Sequence, residues 1–118
     1  MWSAQGDPVK GEVVDANAGG AGAAVLWYQS GTARTLAADE RLNVTDILFL
    51  STAGGVFSLF FGTADGAGKR VAKGIVDAKG GLVHHFETSV SGPLGTNLWL
   101  TAAAGQIDCV ISAYITKG

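Results

Sequence analysis

Charge is scarce in this chain. Asp, Glu, Lys and Arg make up 15% of its 118 residues, against roughly 25% in ordinary soluble domains. The net charge is −2, and the eight Lys and Arg are scattered, with Lys69-Arg70 the one basic pair. Nucleic-acid binding needs a basic face or stripe, so that class is excluded. Cysteine is nearly missing as well. Cys109 stands alone, which rules out an internal disulfide. It lies in an apolar strand pattern and is expected to behave as a small buried hydrophobe. No run approaches the ~18 apolar residues of a membrane span. No basic segment leading into an apolar stretch marks an export signal. The expectation is a soluble protein made in the cytoplasm.

What is present is hydrophobic and glycine-rich: 47% of the residues are hydrophobic and 18 are Gly. A domain so poor in charge has part of its surface covered by another subunit, or carries Thr, Ser and Gly outside in place of Lys and Glu. The densest apolar run is Ile47-Leu48-Phe49-Leu50, expected to be fully buried. After Ser51-Thr52-Ala53-Gly54-Gly55 comes a second run, Val56 to Phe61. Two β-prone runs around a short glycine-bearing break predict a hairpin at the centre of the core.

Period-2 alternation carries most of the remaining chain. In Ala23–Gln29, Val25 and Trp27 point one way and Leu26 and Tyr28 the other. Ser30-Gly31 is a turn, across which Thr32 to Leu36 pairs back. Ile107, Cys109, Ile111, Ala113 and Ile115 alternate with Asp108, Ser112, Tyr114 and Thr116; Val110 is an apolar exception on the outer face. About eight strands, glycine at most turns and no amphipathic helix predict an all-β protein, an antiparallel sandwich or barrel. Residues 23–118 form this domain. Residues 1–22 are expected to be a flexible N-terminal arm or to add an edge strand.

Motifs of catalysis do not assemble. Gly62 to Arg70 has the glycines of a phosphate loop but not their spacing. His84 and His85 are adjacent on a strand and point to opposite faces, so they do not share a metal ion. Asp39-Glu40, beside Arg41, reads as a solvated corner. Asn43-Val44-Thr45 matches a glycosylation sequon but lies within a strand. No nucleophile-elbow motif surrounds any Ser. The expectation is a protein without catalytic residues, cofactor or metal. Trp99 and Tyr114 fall on outer strand faces, Trp2 gains energy only if something covers it, and His85 belongs to the histidine pair. These four are the candidate interface residues.

The segments LAADERLNVTDILFLSTAGGVFSLFFG, GKRVAKGIV and GGLVHHFETSVSGPLGTNLWLTAAAGQIDCVISAYI resemble the small β-sandwich decoration or cement proteins of tailed-phage capsids. The resemblance spans Leu36 to Ile115 and lies in turn chemistry and strand patterning. It implies a jelly-roll-like sandwich on the capsid surface of a virion, bridging major capsid protein subunits as a homo-oligomer, a dimer or trimer. It carries over no catalytic residue. The alternative is a carbohydrate- or receptor-binding head of a phage tail or fibre, working through Trp99, Tyr114 or the loops.

Overall fold

The computed structural model describes residues 6–16, 22–102 and 106–118, and among these described residues there are strands but no helix. In chain order these are β1 (Asp7–Ala16), β2 (Ala23–Ala24), β3 (Leu26–Gln29), β4 (Thr32–Arg34) and β5 (Glu40–Ser51). Then come β6 (Gly55–Phe61), β7 (Arg70–Val76), β8 (Gly80–Ser91), β9 (Leu98–Ala102) and β10 (Ile107–Lys117). A six-stranded sheet runs β4-β3-β1-β10-β5-β8, and a four-stranded sheet runs β2-β9-β6-β7. Every pairing is antiparallel. Without the β3–β4 hairpin, the order β1-β10-β5-β8 over β2-β9-β6-β7 is that of a jelly roll.

The alternation drives this arrangement, because each strand has one apolar row to bury. Leu42, Val44, Ile47 and Phe49 of β5 meet Ile107, Cys109, Ile111, Ala113 and Ile115 of β10 on the inner face of one sheet. Phe57, Leu59 and Phe61 of β6, with Leu98 and Leu100 of β9, supply the other. The Phe49 and Phe57 rings stack across the gap, centroids 4.4 Å apart and 20° from parallel. Gly11 makes room for Trp27, its direct partner on β3: a Cβ there would come within 2.8 Å of the indole ring. Trp27 Nε1 donates to Asn97 Oδ1 at 2.6 Å, and Asn97 Nδ2 donates to the Val25 carbonyl at 3.0 Å. Asn97 thereby ties the segment entering β3 to the approach of β9 in the opposite sheet.

The central hairpin is not formed. The two runs do contribute the heart of the core, but β5 and β6 lie in different sheets. Residues 51–55 are a corner that carries the chain across the sandwich. Gly54 (φ 72°) and Gly55 (φ 100°) take left-handed conformations there, and Ser51 Oγ accepts from Gly54 N at 3.0 Å. A side chain at Gly54 would strike the backbone of Ala78, so the corner is packed against the turn before β8. Nor is Ile47–Leu50 buried throughout: Leu50 is 45% exposed and Leu48 half-buried, because both face outward.

The N-terminal segment also differs from expectation. Asp7–Ala16 is an ordered strand, paired to β10 along its length and to β3 over Lys10–Glu12. It is an edge only outside those three residues. Pro8 falls outside them, where its missing N–H takes no ladder bond from β3. Residues 1–5 and 17–21, with Trp2 and most of the Gly/Ala stretch, lie outside the described residues.

Glu40 overturns the solvated-corner reading. It is 5% exposed and meets the Arg34 guanidinium through two bonds of 2.8 and 2.7 Å. The amide of Ala37 adds a third, at 2.9 Å. Arg34, then the Ala37 amide, hold the carboxyl well below its ordinary 4.5, at about 2. Cys109 is buried as expected, and burial pushes its thiol up to about 12.

Candidate interaction surface

The outer face of the six-stranded sheet gathers the features that bear on function. Register fixes which side chains stand beside one another across five strands. One lateral row is Tyr28, Lys10, Ser112, Asp46 and His85, on β3, β1, β10, β5 and β8 in turn. The next row is Leu26, Glu12, Val110, Leu48 and Val83. Four of its five members are apolar, with Leu26 60% and Val83 77% exposed. Leu50 extends it, beside Asp108 and Gly81. Strand alternation would ordinarily place polar residues on such an outer face. Val110 is thus one member of an apolar row.

The charged side chains of the two rows are paired, one pair between the rows and one within the first. Lys10 Nζ lies 2.8 Å from Glu12 Oε1. His85 Nδ1 lies 2.6 Å from Asp46 Oδ1, and both side chains are open to solvent. The His85 hydrogen bond, then one from Thr45, draws the Asp46 carboxyl below its usual range. A bulge at Thr45, where the register of β5 shifts against both β10 and β8, turns Asp46 outward. Beyond this row, Tyr114 lies between Pro8 and Asn43. Its hydroxyl is 2.9 Å from Ser89 Oγ. Asn43, the sequon asparagine, is 5% exposed. Its amide donates to the Tyr114 carbonyl and to Thr116 Oγ1, and its Oδ1 accepts from Ser91 Oγ at 2.6 Å. Pro8, Lys10, Glu12, Tyr28, Ser112 and Tyr114 surround an open depression of about 750 Å³.

The sequence candidates therefore separate. Tyr114 and His85 share this face, half-buried and exposed respectively. Trp99 does not join them: it is half-buried on the outside of the four-stranded sheet, beside Phe60 and Ala24. Its ring lies against Gly22, where a Cβ would come within 2.6 Å of Nε1. His84 is exposed too and packs edge-on against Phe86 at 4.5 Å. Among the described residues no three His, Cys, Asp or Glu side chains gather to hold a metal ion. In the loop after β6, Asp65 accepts from Arg70 at 2.8 Å and lies 3.8 Å from Lys73. Asp65 thus serves as the carboxylate partner of Arg70 and Lys73.

Leu26, Leu48, Leu50 and Val83 were not among the sequence candidates. Their signal was present as apolar residues at outward positions, but only the strand order puts them in one row. No protein-family model, curated protein or solved structure matches the chain.

Proposed function

We propose that this protein is a structural component of a virion. It is a capsid decoration protein that seats the outer face of its six-stranded sheet on major capsid subunits and ties neighbours together. One observation carries the reading: the adjoining apolar side chains Val110, Leu48 and Val83, extended by Leu50 and, beyond Glu12, by Leu26, on the outer face of the sheet. Exposed apolar side chains in a contiguous group, rimmed by polar ones, favour a protein partner. A broad sheet face suits a role in which each copy adds contact area between subunits that internal pressure separates. Saturable co-sedimentation of the purified protein with capsids stripped of it tests the proposal. No binding at all sinks it.

A second reading draws on the depression between Tyr28 and Tyr114. Aromatic rings beside hydroxyls and a paired Lys10–Glu12 suit the alternating apolar and hydroxyl faces of a sugar. In that case the protein is a carbohydrate-binding head of a tail or fibre. Binding on a glycan array that is lost in Tyr28→Ala and retained in Leu50→Ala favours this reading over the first.

A further inference from the structure

The two sheets end in four edge strands, and three of them are blunted. β2 has two residues and β4 three. β7 carries Arg70 and Lys73, one at its end and one in its middle. Short strands and lysines are the ordinary defences against edge-to-edge pairing. β8 has neither. It runs twelve residues, Gly80–Ser91, with no Lys, Arg or Pro. Its first six, Gly80 to His85, hold an unbroken register against β5. Among the described residues no strand pairs with its other side.

We infer that β8 is the docking edge for a second copy of this chain, which pairs antiparallel about a two-fold axis at Val83. The charge pattern selects both the occupant and the axis. Lys79 and Glu87 stand four residues to either side of Val83, and everything between them lacks a fixed charge. An axis at Val83 brings Lys79 of each copy, in the turn that leads into β8, towards Glu87 of the other, which stands just past the register break after His85. Neither has an ion-pair partner among the described residues. Moving the axis to Leu82 sets Glu87 against Asp77, and moving it to Glu87 sets that residue against itself. The axis also lets Val83, 77% exposed, cover its own copy. Directly opposed Cβ atoms in such a ladder lie about 4.5–5.5 Å apart. Half-buried Leu82 and Phe86, at the open side of the sandwich, gain cover at the same seam. The product is an isologous dimer with one sheet continuous across both copies. Its outer face is twice as wide.

Sedimentation of the isolated full chain reads the dimer without any shell, so this inference and the capsid reading fail independently. The expected result is a monomer–dimer equilibrium, with Val83→Cys oxidising to a disulfide-linked dimer. Ile75→Cys, equally exposed (78%) but on β7, stays monomeric; Cys109, buried, does not compete. Glu87→Lys weakens association about 3–10-fold, and adding Lys79→Glu restores it. Thermal melts of these variants check that folding is unchanged. A wild-type monomer at hundreds of micromolar, a trimer, or equal cross-linking at positions 83 and 75 overturns the inference.

Discussion

Removing the Phe57 ring tests the packing that holds the two sheets together. Phe57 is 3% exposed and stacks on Phe49 from the opposite sheet at 4.4 Å. On its own sheet it lies over Gly74, its direct partner on β7. Gly74 has no side chain to move into the space a smaller residue would leave. Phe57→Ala should therefore cost the full range for a buried aromatic, about 3–5 kcal/mol. For a domain of this size each kcal/mol is worth roughly 4–6 °C, so Tm should fall by about 12–30 °C. Phe49→Ala should cost a similar amount. The two losses should not add: a double-mutant cycle should return about 0.5–1.5 kcal/mol of coupling for the stacked pair. Leu50→Ala is the internal control. It neighbours Phe49 in sequence but is 45% exposed on the outer face, and should cost below about 1 kcal/mol. Urea and thermal melts of the four variants measure all of this. If Leu50→Ala costs as much as Phe57→Ala, or the cycle shows no coupling, the register of β5 and the cross-sheet contact are both wrong.

The buried ion pair gives a pH prediction. The Glu40 carboxyl is held at about 2, below its ordinary 4.5. Its stabilising contribution is complete above about 4.5 and lost as pH falls through 2. The lowered pKa alone corresponds to about 3 kcal/mol; screening around Arg34, whose side chain is 22% exposed, reduces this to roughly 1–2 kcal/mol. Glu40→Gln should remove that acid-dependent part, seen as a flatter Tm-against-pH curve between pH 5 and 2, about. Asn97→Ala should cost about 1–3 kcal/mol, because it leaves the Trp27 indole N–H without its acceptor. Cys109, with its thiol pushed up to about 12 by burial, should resist a thiol reagent in the native protein and react at the rate of unfolding.

The sequence marked the inner faces well and the outer ones poorly. The alternation from Ile107 to Ile115 is the burial pattern of β10, and Val25 and Trp27 are buried while Leu26 is exposed. These positions were legible because a period of two is local. The central hairpin was misread because adjacency does not say whether a turn keeps the chain in its sheet. Gly54 and Gly55, both at positive φ, send it to the other one. Glu40 was misread because its partner, Arg34, stands across a turn on a different strand. The apolar row escaped notice because its apolar members come from β3, β10, β5 and β8. Their lateral order follows from long-range register, which no window of the sequence contains. For the same reason Tyr114 and His85 converge on one face while Trp99 goes to the other.

The central functional claim is that the outer face of the six-stranded sheet is the contact face, and one comparison tests it. Co-sedimentation with stripped capsids should be measured for the wild type, for Leu26→Lys/Leu50→Lys, and for Ile75→Lys. All three altered positions are exposed, at 60%, 45% and 78%, so folding should tolerate the lysines. The account predicts at least ten-fold weaker binding for the double variant and wild-type binding for Ile75→Lys, which lies on the opposite sheet. Equal binding by all three would contradict it.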